Sequence, residues 1–406
     1  MRHCSTRCRP EQTEWHSQAA ALPPDWDKGL PPGHFLERAS LLVHEQARLP
    51  HVATRYALLR EREEISARAA FQVLTVRPEH VSSSSLPAWQ YTAWKLFTTT
   101  AHPKLLVGGH LFRHDVATLH FSEAITPFDA FAWYQDAVRS AMKQCGVHAV
   151  LIKDPPASLV PYFMHNAPDY LLLRNDSSMQ LELPDSWQSM QDYEKGLKHK
   201  YAQRYRKVRQ SWAGLEVREL SADEVQAEAA DIYALYMQVT EHQSVRMGLL
   251  SEAFLPVLKK LYGEELKVWG IYEEGRMIAF ASGWAHERSF DMFYIGFDYA
   301  RNTDLQLYFN ILFFAIEQAI TLRKPLLILG RTALEAKARV GCRPEYLNTF
   351  LHIRNPLLRN IVTKLQRRLG ESGSEWEQRH PFKPAAAGAK GNENVGSVTS
   401  SAASAD

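Results

Sequence analysis

A short apolar run, residues 326–329, stops at Gly330 and is followed by Arg331, Glu335 and Lys337. Charged side chains in that position can hold an anionic ligand, because open sheets bind ligands beyond the carboxyl ends of their strands. A salt-bridged surface turn is the structural alternative. Upstream, Tyr294 and Tyr308 offer phenols that could act as the acid in a group transfer, with core or interface packing as their other use. Asp291 and Phe293 share one face of a strand while Met292 and Tyr294 share the other. Asp291 and Tyr294 therefore meet at one site only if a bulge intervenes. Between residues 195 and 209 there are seven Lys or Arg and no acid. Within that run Arg204 and Lys207 would neutralise a phosphate or pyrophosphate; a solvated basic face is the alternative.

Other reactive residues carry less. Cys342 has no histidine beside it in sequence, and a lone cysteine packs as a small apolar residue more often than it attacks. His3, Cys4, Cys8 and His16 match no zinc spacing, so no metal is expected. His242 closes a helix, where it meets the negative end of the dipole. Four cysteines in 406 residues do not make a disulfide framework, and this, with no secretory leader or spanning segment in the pattern, gives the expectation of a cytoplasmic protein.

The elements that must position these residues follow from periodicity. Residues 267–272 and 277–286 read as strands around the turn Glu273-Glu274-Gly275-Arg276, where glycine supplies a positive φ. Residues 290–297 continue the antiparallel meander. Leu305, Phe309, Leu312, Ile316 and Ile320 recur at helical spacing, and residues 326–329 form a buried strand beside the meander. Tyr201, Tyr205, Val208 and Trp212 make residues 195–212 a basic amphipathic helix. In the earlier part, residues 55–60, 65–76, 104–112 and 116–121 read as strands, with the serine run at 81–87 as a loop. Pro127 then opens a helix to Ala141, and residues 147–152 form a buried strand. Residues 170–173 and 179–183 complete the first half, and residues 346–353 close the second.

Hairpin, strand, helix and buried strand thus occur twice, so the fold class is α+β with mixed sheets, in two tandem domains. The division runs as an N-terminal extension (1–50), a first domain (51–183), a second domain led by the basic helix (184–370) and a disordered tail (371–406), the last for want of apolar residues. A hydrophobic fraction of 45% and a formal net charge of +2 are those of an ordinary globular protein and call for no nucleic-acid or membrane partner by themselves.

The meander, helix and crossover strand followed by GRTALEAKARVGCRP resemble the second domain of tandem acyl-CoA N-acyltransferases of the Gcn5-related superfamily, nearest to the peptidoglycan-bridge aminoacyltransferase-like (FemAB-like) group. Gly330, Lys337 and Gly341 stand where that group has a glycine, a lysine and a second glycine. YEKGLKHKYAQRYRKVRQSW resembles the basic helix that opens its second domain. The resemblance spans residues 56–364 and implies an N-acyltransferase moving an acyl or aminoacyl group to an amine. The carrier would be coenzyme A or aminoacyl-tRNA, and the acceptor a small molecule or cell-wall precursor. A non-catalytic binder of a phosphorylated or nucleic-acid partner is the alternative. One departure concerns coenzyme A: the turn Arg301-Asn302-Thr303-Asp304-Leu305-Gln306 has no glycine to cradle a pyrophosphate, and Asp304 would repel one.

Overall fold

The computed structural model describes residues 13–61, 63–173, 176–246, 248–356, 359–360, 363 and 379–384. The expectations for His3, Cys4 and Cys8 and for most of the tail lie outside these residues. Along the first half run β1 (Thr13–His16), α1 (Arg38–Gln46), β2 (Val52–Glu61), β3 (Glu64–Thr75), α2 (Ala88–Ala101) and β4 (Lys104–Gly108). These are followed by β5 (Leu119–Phe121), α3 (Pro127–Cys145), β6 (Ala149–Lys153), α4 (Val160–Asn166), β7 (Tyr170–Leu172) and β8 (Ser177–Glu182). The second half begins with α5 (Met190–Gly196), α6 (His199–Gln210), β9 (Glu216–Glu219), α7 (Ala222–Ala227), α8 (Ala229–Glu241) and α9 (Phe254–Tyr262). It continues with β10 (Leu266–Glu273), β11 (Arg276–Ala285), β12 (Ser289–Phe297), α10 (Tyr299–Leu305) and α11 (Leu307–Thr321). Last come β13 (Leu326–Gly330), α12 (Leu334–Arg339), β14 (Arg343–Tyr346) and β15 (Thr349–Ile353).

The strands form two mixed sheets, ordered β1-β2-β3-β4-β6-β15-β7 and β9-β10-β11-β12-β13-β8-β14, with β5 pairing β3. Position by position the pairings agree in sense: each crossover strand lies parallel to the preceding meander strand and every other pair on the two paths is antiparallel. The expected duplication is therefore present, with one correction. The sixth strand of each sheet comes from the other half: β8 pairs β13 and β14, and β15 pairs β6 and β7. Residues 179–183 do not complete the first half, nor residues 349–353 the second. The apolar side chains explain the choice: Met179 and Leu181 pack with α11, and Phe350 packs with α3 and stacks on Phe163 at 4.9 Å.

Local chemistry accounts for the elements on either side of the site. In the β10–β11 turn Glu274 and Gly275 both have positive φ, 50° and 81°, the combination that matches hairpin twist. α3 starts where the Thr126 hydroxyl accepts from the Asp129 amide at 3.1 Å and stops at Gly146 in the left-handed conformation. α11 buries Ile311, Phe313, Phe314 and Ile316 against the second sheet. α6 lays Ala202, Tyr205 and Val208 onto α11 rather than onto a strand. Its Val208 carbonyl accepts from the buried Asn310 amide at 3.0 Å.

β12 carries the bulge on which the Asp291–Tyr294 reading depended. Pairing with β11 shifts between Ala281 and Gly283, so Phe293 and Tyr294 together oppose Ser282. The Ser282 hydroxyl fills the broken ladder, donating to the Tyr294 carbonyl at 2.7 Å and accepting from its amide at 3.0 Å. Phe293 and Tyr294 consequently pack into the same core as Trp284 and Phe254, while Met292 and Ile295 point to the α11 side. A bulge of this kind turns strand side chains toward a neighbouring site.

Candidate active site

The two crossover strands end side by side. Asp154 follows β6, Arg331 follows β13, and the Arg331 guanidinium donates to both Asp154 oxygens at 2.7 and 2.8 Å. Its Nε lies 2.9 Å from Asp176 as an ion pair, with the N–H not aimed along that line, and Asp176 also accepts from the Thr349 hydroxyl at 2.6 Å. Arg331 thereby ties the two halves together.

Next to this lock, the segment after β4 enters the groove. Gly109 has φ 123°, and a Cβ there would come within 2.6 Å of the Lys153 carbonyl, so only glycine permits the approach. Lys153 donates to the His110 carbonyl at 3.0 Å. Arg113, pinned against the Trp284 ring at 3.8 Å and the Tyr262 ring at 5.1 Å, pairs with Asp115. These cation–π contacts come from the second half, so the segment is held from both sides.

Four titratable groups meet here. His286 Nε2 lies 3.5 Å from Asp115 and 3.8 Å from Asp291, and His114 Nε2 lies 3.8 Å from Asp291. These are ion-pair separations, longer than hydrogen bonds. Asp291 is buried, its Oδ1 has no hydrogen-bond partner, and burial raises its pKa. For Asp115 burial pushes the same way but is outweighed by the nearby His286 and by the Arg113 guanidinium, which hold its carboxyl below the usual range. The Asp115 interaction raises His286, whereas burial lowers His114. Neutral His114 lines an open cavity of about 430 Å³ together with Asp115, His120, Asp154 and Ser158. With Nε2 turned to Asp291, Nδ1 is the ring nitrogen left for a molecule in that cavity. This arrangement can remove a proton and hold it against a buried carboxylate.

A second cavity, about 340 Å³, lies under α1 beside Tyr56. Its carboxylate, Glu45, already accepts from the Ala19 amide and from the Thr54 and Tyr56 hydroxyls, while His44 and His110 line the cavity with Nε2 unpaired.

The residues singled out from sequence are dispersed. Tyr294 donates to the Phe112 carbonyl at 3.4 Å and packs on Tyr236 and Phe254. Tyr308 lies on the other face of the sheet, in the α11 core. Burial raises both phenols. Lys337 is buried, not a surface ion pair: Nζ donates to the Gly330 carbonyl at 3.2 Å, and burial lowers its pKa to about 8. Cys342, which acts electrostatically on both Lys337 and Tyr308, is pushed up to about 12 by burial. That thiol is protonated at neutral pH. Glu335 is exposed and accepts from Arg339 at 2.7 Å. Arg204 stacks on the Phe309 ring at 4.7 Å, near Arg339, and Lys207 is exposed. Sequence reading passed over His114, Asp115 and His286. The available signal was the run Gly108-Gly109-His110 followed by His114-Asp115, a glycine-permitted approach next to two acid–base side chains.

Two mixed sheets of the same strand order, each with one parallel crossover, make a doubled α+β fold. Among solved structures the chain is similar to FemX, with a TM-score of 0.48 and 10% identity over 86% of this chain and 99% of that one. A tandem N-acetyltransferase-type protein from the clavulanic acid biosynthesis pathway gives 0.46 and 9%, over 85% and 99%. The C-terminal domain of a lysylphosphatidylglycerol synthetase from Agrobacterium fabrum gives 0.45 and 10%, over 82% and 91%. These are likenesses of fold. No family model matches the sequence, and no curated protein matches it.

Proposed function

We propose that the protein is an N-acyltransferase that moves an aminoacyl or acyl group from an ester carrier to an amine in the groove between the halves. The observation that carries this reading is His114, neutral because buried, with Nε2 3.8 Å from Asp291 and the residue itself lining the cavity. The amine nitrogen attacks the acyl carbonyl carbon as His114 takes its proton. The carbonyl carbon–oxygen bond to the carrier then breaks, and the imidazolium returns the proton to the departing hydroxyl. Asp291 steadies the charged ring during the exchange.

The caps of the two central helices favour an ester carrier such as aminoacyl-tRNA over coenzyme A. In the second half α10 precedes α11, and the Tyr308 amide already donates to the Asn302 side chain at 3.0 Å. In the first half the Thr126 hydroxyl takes the Asp129 amide, and Asp129 adds negative charge to the first turn. A pyrophosphate needs open amides at such a terminus.

The test is to incubate the protein with labelled bulk aminoacyl-tRNA, or with acetyl-coenzyme A, against a pool of amines and to read products by mass spectrometry. Label should leave aminoacyl-tRNA, and His114→Gln should lower kcat by about 100-fold or more with an unchanged fold. Because burial lowers the His114 pKa, activity should fall only as pH drops below the ordinary histidine range, and His114→Gln should erase that limb. Turnover of acetyl-coenzyme A that ignores His114→Gln would place the chemistry elsewhere.

A further inference from the structure

The corresponding connections in the two sheets differ sharply. Between β11 and β12 the chain turns within residues 286–288, whereas between β3 and β4 residues 76–103 intervene and form α2. The inserted segment is fastened at its base to the second half: the Ser82 amide donates to the Ser244 carbonyl at 3.0 Å, and the Arg246 amide to the His80 carbonyl at 2.8 Å. From that base α2 turns one face inward, with Thr98 buried and the Trp94 indole donating to the Pro78 carbonyl at 3.3 Å. The opposite face shows Trp89, Leu96 and Phe97 at 72%, 65% and 51% exposure. Positions i, i+7 and i+8 share one side of a helix, and Ala93 lies between them. From His80 to His114 the sequence contains no Asp or Glu, and the charged residue on α2 itself is Lys95.

We propose that α2 docks the protein on a lipid surface by inserting Trp89, Leu96 and Phe97 into the headgroup–acyl boundary. Interfacial helices carry Trp, Phe or Leu on the face that enters the lipid, and a stretch without carboxylates is not repelled by anionic headgroups; α2 has both features. A second copy of the chain fits less well. A helix of 14 residues is about 21 Å long, and one such face supplies far less than the roughly 1,000 Å² that a stable interface buries. α2 also falls well short of spanning, and no described helix is long and apolar enough to cross a membrane.

The experiment is flotation of the full chain with vesicles of phosphatidylglycerol and phosphatidylethanolamine, and separately of phosphatidylcholine, at low and high salt. It is run alongside light scattering for mass and Trp89→Gln/Leu96→Gln/Phe97→Gln as the variant. The wild type should float with both vesicle types, with at most a few-fold loss at high salt because Lys95 is the one cation on the helix. The variant should lose at least 10-fold in bound fraction while keeping its melting temperature and its transfer activity in solution. As a second measure, single Trp89→Phe should still float, whereas Trp89→Gln should not. Wild-type protein that stays unbound to both vesicles overturns the proposal. So does a wild-type dimer that the triple variant dissociates without any vesicle binding, which would assign the face to a second copy.

Discussion

The two sheets have the same strand order, yet the lysines near the ends of their crossover strands sit in opposite surroundings. Lys153, the last residue of β6, is half-buried and held at about 8 by desolvation of its ammonium, with Arg331 pushing its pKa further down and Asp154 and Asp176 pushing it up. Lys337, on α12 after β13, is also held at about 8 by burial, and the group that acts on it there, the Cys342 thiol, is neutral at pH 7. The first lysine belongs to the polar lock between the halves. The second is an ammonium in an apolar core with one backbone acceptor at hydrogen-bond distance. Duplication preserved the frame, and the halves diverged in what they bring to the groove: the first supplies His114 and Asp115, the second His286 and Asp291.

The comparison can be attacked first through the exchanged strands. Phe350→Ala removes a ring that belongs to the first core although its strand follows the whole second sheet. It should cost about 3–5 kcal/mol, read by chemical denaturation, with both halves losing stability in one transition. Two separate transitions, with only the second half weakened, would undo the view that the halves share their sheets.

The lysine pair sharpens it. Burial disfavours the ammonium, so between pH about 8 and 10.5 the unfolded chain holds a proton that the folded chain has released. Stability should rise with pH through that window, and the penalty is complete below about 8. For Lys337 the gap between 10.5 and about 8 corresponds to roughly 3 kcal/mol. Lys337→Met should therefore flatten the alkaline slope and raise stability at pH 7 by about 1–3 kcal/mol, less whatever the Gly330 hydrogen bond contributes. Lys153→Met should lower stability at pH 7, since it leaves the His110 carbonyl without its donor and the Asp154 and Asp176 charges less balanced. Equal behaviour of the two variants in pH-dependent melts would erase the difference between their surroundings.

The smallest effect belongs to α6. Arg206 pairs with Glu194 and Arg209 with Glu317, while Lys207 is exposed. Replacing Arg204, Lys207 and Arg209 with Gln should change stability by less than about 1 kcal/mol. If α6 tracks a tRNA backbone, the same variant should weaken tRNA binding and reduce its salt dependence. An unchanged salt slope in binding titrations would make α6 a packing element and nothing more.

Much of the frame was legible because its signals are local. The hairpin at Glu274-Gly275, the apolar stripe of α11 and the run Leu326–Leu329 each declare themselves within one element. The exchange of β8 and β15 was not legible, since a short apolar strand pairs equally well with either sheet until the partners are known. α2 escaped notice because its large apolar residues face outward and the serine run before it reads as loop. The site was hardest. Gly109 admits the chain that carries His114 to the groove, and the β12 bulge turns Tyr294 to the face of Asp291, and neither event leaves a spacing in the sequence. Tyr308 and Lys337 stood out by residue type, and types alone do not tell a buried frame residue from one that faces a cavity.

The exchanged strand also sets a schedule for synthesis. At about 5–20 residues per second, roughly 10 to 35 s separate the making of β7 from that of β15. Throughout that interval the first sheet has an open slot between β6 and β7, with the unpaired amides and carbonyls of two strand edges exposed to other chains. The protein's most vulnerable moment is therefore before its final described strand arrives, and a chain stalled between residues 172 and 349 should be the species that chaperones capture or that aggregates.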